Sequence, residues 1–366
     1  MNSVQESWSA EERIAGRLTT RRSFVTSMTA LAAGTLLAGE RLIGGPARVV
    51  GAGMIDVHHH ILPPHYVSVL KEKIFATAGA TNDVSKLLGW TPARSIEEMD
   101  QNGIATGIAS LGLPGIWLGG VEASRRLARN CNEYAAELCR NYPGRFGMFA
   151  ALPMPDQQGS LEEIAYALDT LKADGFALLT NYGDKWTGDA AYEPVLEELN
   201  RRKAVVHVHP TAPTCCTNLI AGVPPSITEF LFDTARSIVS LMINGTFSRY
   251  PDIRFIFSHA GGALPAVANR MAAYFRNRKD LSDRAPNGTM AELKKLHYDI
   301  ANAANPPTIS ALMNLVPSSQ LLFGSDYPYV DARVTAEALE NSTLSSVEKQ
   351  GIKRDNGMGL FPRFRA

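Results

Sequence analysis

The run Met54-Ile55-Asp56-Val57-His58-His59-His60-Ile61-Leu62-Pro63-Pro64 is a short β-rich segment that ends in three histidines and two prolines. A doubly wound sheet that binds a nucleotide needs a phosphate-cradling glycine loop after its first strand, and none stands here. Outward from this run, short β-rich segments alternate with longer helical patterns, the signature of repeated βα units. Strands are predicted at residues 54–57, 104–110, 146–151, 176–179, 204–207, 253–257, 298–300 and 321–323. Helices are predicted at 95–101, 122–141, 161–173, 192–202, 227–249, 265–277, 307–315 and 334–339, with a terminal segment from Ser345. Eight strands predict an α/β fold, a (β/α)8 TIM barrel. Stretches 204–209 and 253–259 are apolar on both faces, as strands with helices outside and a packed interior must be. The connection over 61–93 is long for a βα link and is expected to lid the site.

With 366 residues, 45% of them hydrophobic and 20% charged, the chain has ordinary globular composition and the length for one barrel. Basic and acidic residues balance at 36 each, so nothing predicts nucleic acid as a partner. Cys131 and Cys139 fall in one predicted helix, about 12 Å apart along its axis and beyond disulfide reach. Adjacent Cys215 and Cys216 are expected to be reduced thiols in a loop near the site. Residues 1–50 stand apart. There Thr19-Thr20-Arg21-Arg22-Ser23-Phe24-Val25 precedes a small-residue and leucine stretch, which resembles a twin-arginine export signal. The expected organisation is a signal segment with linker at 1–50 and one barrel at 51–366. The twin-arginine machinery would export the folded chain to the periplasm; without the signal it would stay in the cytoplasm.

Of the eight histidines, six stand at or just past a predicted strand end: His58, His59, His60, His207, His209 and His259. In a barrel the C-terminal strand ends carry the chemistry. The spacing in His58-x-His60 puts both rings on one side of an extended strand while His59 points away. Two converging imidazoles begin a divalent-metal site. In His207-Val208-His209-Pro210, His209 lies nearer the mouth and reads as the ligand. His207 lies one layer deeper and reads as a hydrogen-bonded support. Asp326, in Gly324-Ser325-Asp326-Tyr327-Pro328, adds a carboxylate, and three histidines plus one aspartate still leave a coordination position open. His259, followed by Ala260-Gly261-Gly262, is either a further ligand or a general acid/base beside the metal. The two glycines allow backbone or ligand to approach closely. His65 and His297 read as structural. Trp117, Trp186, Tyr327 and Tyr329 fall in loops of the same face and are candidates to line an aromatic pocket.

The stretches IDVHHHILP, EEMDQNGIATGIAS, VHVHPT, RYPDIRFIFSHAGGALP, YDIA and LLFGSDYPY, spread over residues 54–330, resemble the amidohydrolase superfamily of metal-dependent hydrolase barrels. The resemblance is to its mononuclear decarboxylase branch, which includes aminocarboxymuconate-semialdehyde, gamma-resorcylate and 6-methylsalicylate decarboxylases. It implies one divalent ion, zinc or manganese, at His58, His60, His209 and Asp326, with His259 at the catalytic position. It also marks Arg270 as an arginine that binds a substrate carboxylate in a neighbouring subunit's site, and so implies a homodimer. A guanidinium suits that task because its paired donors match both oxygens; a plain surface arginine is the alternative. Binuclear relatives carry a modified lysine at the end of strand four. Here the nearest is Lys185, six residues past Leu179, so one metal is expected.

Two chemistries fit these residues. The first is nonoxidative decarboxylation of an aromatic or unsaturated carboxylic acid, with metal and acid stabilising the charge left behind and His259 or Asp326 delivering a proton. The second is hydrolysis of a lactone, amide or ester by a metal-activated water. The missing lysine and the contexts of His259 and Asp326 favour the first. A noncatalytic binding protein would show a lost ligand, and none is lost.

Overall fold

The computed structural model describes residues 53–78, 84–217 and 219–365; the predicted signal segment lies outside them. Eight strands, β1 (Met54–Ile61), β2 (Ile104–Leu111), β3 (Phe146–Ala151), β4 (Gly175–Leu179), β5 (Val205–His209), β6 (Arg254–Phe257), β7 (His297–Asp299) and β8 (Leu321–Leu322), pair in chain order, each parallel to the next. The ring closes where the segment after β8 returns to β1. There Val57 N donates to Phe323 O at 3.0 Å, Asp326 N to His58 O at 2.8 Å and His60 N to Tyr327 O at 2.7 Å. The expected (β/α)8 barrel is present, with β1 running on from Val57 to Ile61 so that all three histidines lie within the strand.

The principal helices are α1 (Pro64–Ala78), α2 (Val84–Leu88), α3 (Pro92–Gln101), α4 (Val121–Asn141), α5 (Gln157–Tyr166), α6 (Glu193–Arg201), α7 (Glu229–Ile243), α8 (Leu264–Arg276), α9 (Pro306–Met313) and α10 (Ala332–Glu340). In α4, Leu127, Ala128, Cys131, Ala135 and Leu138 recur every three or four residues and form the buried stripe. The start of α3 is set by Thr91, whose side chain accepts from Arg94 N, and by Pro92 in the first turn.

Two expectations are corrected here. The connection expected to lid the site over 61–93 carries α1 and α2, and among its described residues none lines the site cavity. The reason is a helical apolar stripe, Tyr66, Leu70 and Ile74, that buries α1. Cys215 and Cys216 are not free thiols but a disulfide. The short turn Thr214–Cys216, closed by Cys216 N donating to Pro213 O at 2.9 Å, brings the neighbouring side chains together. Cys131 and Cys139 are free, as expected.

Strand residues divide between two cores. Val206, Val208, Phe255, Phe257 and Tyr298 pack in the larger one with buried helix residues. Ile55, Val57, Ile108, Phe149, Val205, Ile256 and Leu322 pack on one another and on Leu360, Phe361 and Phe364, filling the floor of the barrel. In β1 the pairing with β2 slips between Asp56 and His59. Ile55 and Val57 belong to the floor, so strict alternation would turn His59 inward; the slip changes the phase and aims His58 and His60 in instead.

Candidate metal centre

At the C-terminal end of the strands, His58 Nε2 and His60 Nε2 stand 3.0 Å apart, with Asp326 Oδ1 3.3 Å from the first and 3.1 Å from the second. The His209 ring lies 5.1 Å from that of His58 and 4.9 Å from that of His60, centroid to centroid. One ligand atom from each of these four residues falls within 4.8 Å of the other three. The His259 ring is 5.0 Å from that of His58. Asp326 and His259 have φ of 66° and 53°, left-handed conformations that carry each side chain off the regular strand path and toward the centre.

Each imidazole has its Nδ1 engaged: His58 with Asp299 Oδ2 at 3.1 Å, His60 with Ser110 Oγ at 3.2 Å, His209 with Pro210 O at 2.8 Å and His259 with Ala301 O at 2.8 Å. Carbonyl and carboxylate oxygens only accept, so neutral His58, His209 and His259 carry their proton on Nδ1 and leave Nε2 bare. Bare nitrogens and a carboxylate oxygen about 3 Å apart match the spacing of donors around one zinc-sized ion.

The electrostatics fit a cation as well. Burial penalises charge on His58, but the carboxylates of Asp299 and Asp326 outweigh it and raise its pKa to about 10. Burial lowers His60 to about 4 and His209 well below its ordinary value. Burial also works against the charged forms of Asp299 and Asp326, yet His58 and its neighbours hold both well below the carboxylate range. Two buried carboxylates draw positive charge to the cluster: in the metal-free chain the proton on His58 answers them, and a divalent ion would supply that charge in its place.

Beneath this cluster lies Asp299, on β7 and fully buried. Its Oδ2 accepts from His58 Nδ1 and from His207 Nε2 at 3.0 Å; its Oδ1 accepts from His259 N at 3.1 Å and Ala301 N at 3.0 Å. His207 thus occupies the deeper, supporting place expected of it, acting through Asp299 and stacked on Phe149 at 5.5 Å. Sequence reasoning missed Asp299; its one signal was a carboxylate at a strand end in Tyr298-Asp299-Ile300-Ala301.

His59 points away, as its spacing predicts. Its Nδ1 meets Asp56 Oδ2 at 2.9 Å, its Nε2 meets Ser95 Oγ of α3 at 2.6 Å, and its ring stacks on Tyr327 at 5.1 Å. Carboxylate, imidazole and hydroxyl stand in the order of a nucleophilic triad, but all three are fully buried and none lines the cavity. The set is a strut between β1 and α3.

A cavity of about 320 Å³ opens beside the cluster. His209, His259 and Asp326 form its polar end with Asn302 and Ser226, while Leu113, Ile227, Phe230, Leu231, Tyr329 and Val330 make a hydrocarbon wall. Of the aromatic candidates only Tyr329 lines it, its hydroxyl donating to Leu113 O at 3.1 Å. Trp186 turns away to donate to Asp233 Oδ1 at 2.7 Å, Tyr327 covers His59, and Trp117 is 37% exposed. Phe230 and Ile227, which do line it, were not singled out by the sequence. Arg270 is exposed on α8 and outside the cavity of its own chain. His65 is exposed on α1 and His297 half-buried at the start of β7; neither joins the cluster. Gly262 does permit a close approach, of the Leu231 backbone of α7. Beyond β4 stands Thr180, bonded to Asp233, while Lys185 is exposed in a small hairpin. The end of β4 therefore brings no lysine to the cluster.

Residues 55–363 match the amidohydrolase family model. The chain is 37% identical over 329 residues to decarboxylase yanB of Aspergillus niger, spanning 85% of this chain and 88% of that protein. It is 32% identical over 318 residues to 6-methylsalicylic acid decarboxylase of Penicillium expansum, spanning 85% and 97%. A crystal structure of 5-carboxyvanillate decarboxylase from Novosphingobium aromaticivorans, complexed with manganese and 4-hydroxy-3-methoxy-5-nitrobenzoic acid, matches the fold with a TM-score of 0.75 at 20% identity, over 86% of this chain and 97% of that one. The family match over nearly the whole barrel, together with relatives of this likeness, means that the chain belongs to the amidohydrolase family, in the branch of its metal-dependent decarboxylases.

Proposed function

We propose that this protein is a metal-dependent nonoxidative decarboxylase of a single-ring aromatic acid of the hydroxybenzoate kind. The observation that carries the reading is the cavity of about 320 Å³, with His209, His259 and Asp326 at one end and hydrocarbon along its walls. Such a chamber suits a flat ring with its carboxylate and a neighbouring oxygen on one edge. The decarboxylase relatives support the same reading, and the absent strand-four lysine weighs against a binuclear hydrolase.

A divalent ion held by His58, His60, His209 and Asp326 supplies Lewis-acid stabilisation to the substrate's oxygens. Its identity is proposed as zinc, which suits the nitrogen-rich donor set, with manganese as the alternative supported by the carboxyvanillate enzyme. His259 is anchored through Nδ1–H to Ala301 O, so that a second proton, taken up on Nε2 to make the imidazolium, would be the one offered at the cavity. As the bond between ring and carboxylate breaks and carbon dioxide leaves, the electron pair stays on the ring carbon and takes that proton. Asp326, held ionised beside His58 despite its burial, serves as ligand and not as acid. Leu113, Phe230 and Tyr329 keep water from the ring during transfer.

The test is carbon dioxide release by the metal-loaded full chain from salicylate, 6-methylsalicylate and dihydroxybenzoates, beside acid release from a lactone panel. Stoichiometric carbon dioxide that disappears in His259→Ala is expected. Lactone hydrolysis with no carbon dioxide from any benzoate sinks the proposal. Arg270 belongs to the same reading as a carboxylate clamp offered to a second copy in a homodimer; Arg270→Ala with unchanged KM removes that part. Export by the twin-arginine machinery to the periplasm is proposed from residues 19–39 alone, and a reporter fused behind residues 1–50 that stays in the cytoplasm removes it.

A further inference from the structure

We infer that Asp299 is the positioning residue that sets which nitrogen of His58 is bare and, through its other oxygen, where His259 sits. The inference rests on the metal-site reading but not on the reaction proposed for it.

Asp299 offers two oxygens to four N–H groups: the rings of His58 and His207 on Oδ2, the backbone amides of His259 and Ala301 on Oδ1. These donors come from β1, from β5, from the segment after β6 and from the segment after β7 itself, so this one side chain ties four parts of the rim together. An ionised carboxylate has no proton to give, which forces His58 to present Nδ1–H and, whenever the ring is neutral as a metal ligand must be, to turn a bare Nε2 to the cluster. His207 shows how strongly Asp299 dictates. Its Nε2 goes to the carboxylate while its buried Nδ1 is left without a hydrogen-bond partner among the described residues. On the other oxygen, the His259 amide belongs to a residue at φ 53°, outside any strand ladder. One carboxylate therefore aligns a proposed metal ligand and the proposed proton donor together.

Asp299→Asn sharpens the point because an amide keeps the shape but has only one accepting atom. Two of the four donors must then face an NH2 group. Backbone amides cannot give up their protons, whereas an imidazole can move its proton to the other nitrogen. The amide NH2 therefore turns to His58 and His207, and the His58 proton shifts to Nε2, where a metal would bind. Affinity for zinc, measured by competition with a chromophoric chelator on the full chain, is expected to fall about ten- to hundredfold. Histidine nitrogen NMR of metal-free Asp299→Asn, at a pH where His58 is neutral, is expected to show His58 protonated at Nε2. A variant that melts lower yet binds zinc as tightly as wild type overturns the inference, because Asp299 then only holds strands together. Where Asp299→Asn fails to fold, zinc-loaded wild type decides. The His58 Nδ1 proton, facing a carboxylate, should resonate downfield of the His209 Nδ1 proton, which faces a carbonyl, and the reverse order overturns the inference. No substrate enters these measurements, so failure of the proposed reaction leaves them readable.

Discussion

The floor and the rim of this barrel are built from the same strands and obey opposite rules. On the floor Ile55, Val57, Ile108, Phe149, Val205, Ile256 and Leu322 meet one another and the apolar C-terminal segment. Further along the same strands, on β1, β2 and β5 and just past β6, stand His58, His60, Ser110, His207, His209, Ser258 and His259, every one of them buried. Full burial of a large apolar side chain stabilises by about 1.5–3 kcal/mol, whereas a buried polar or charged group costs free energy unless it finds partners. The difference teaches where stability ends and chemistry begins: one pleat along the strand separates them.

Removing a rim ligand should break function and spare the fold. His209→Ala is expected to lower the decarboxylation rate by about a thousandfold or more, since metal stabilisation of developing charge is worth several kcal/mol. Its urea midpoint should stay near that of metal-free wild type; a chain that unfolds instead would make the rim a structural keystone and erase the contrast. The floor should respond the other way. Phe149→Ala is expected to cost about 3–5 kcal/mol in urea unfolding while one metal ion per chain still binds. Full stability with lost metal would show that the boundary lies lower than Phe149, beneath the ring of His207 that it supports.

The smallest effect is expected from pH, in metal-free protein. The folded state raises His58 from an ordinary 6.5 to about 10, so its stabilising contribution is complete below pH 6.5 and fades as pH climbs through 10. His60 is lowered from 6.5 to about 4, so its protonation opposes folding and stability drains away as pH falls from 6.5 through 4. Together they place the metal-free optimum near pH 6.5. A metal held at the proposed site would replace the His58 proton and should flatten the alkaline decline. Urea titrations between pH 6.5 and 10, with and without chelator, check this, and equal slopes would contradict it.

Much of the rim was legible because its signals are local. A two-residue spacing reports which side of a strand a ring occupies, and a proline after His209 reports the strand's end; hence His58, His60, His209 and the deeper His207 fall where the pattern put them. Asp299 was illegible because its importance exists only in space, where segments distant in sequence converge on one carboxylate. The slip in β1 hid for a related reason: His58-x-His60 looks the same whether or not the preceding residues keep step. Aromatic side chains misled, since Trp117, Trp186 and Tyr327 sit in the right loops while their surroundings turn them elsewhere. The bond between Cys215 and Cys216 depends on a local turn that composition does not reveal.

The ring of strands is joined where its first and last members meet, and the proposed ligands straddle that join: His58 and His60 on one edge, Asp326 on the other. The last strand has only two residues, and the backbone bonds from Val57, His60 and Asp326 carry the closure beyond it. An ion gripped from both sides would therefore work as a clasp on a bracelet. Loading it would fasten the two ends of the barrel, and in a chain stripped of it the backbone bonds alone hold this join, so that it should open locally while the rest of the ring stays folded.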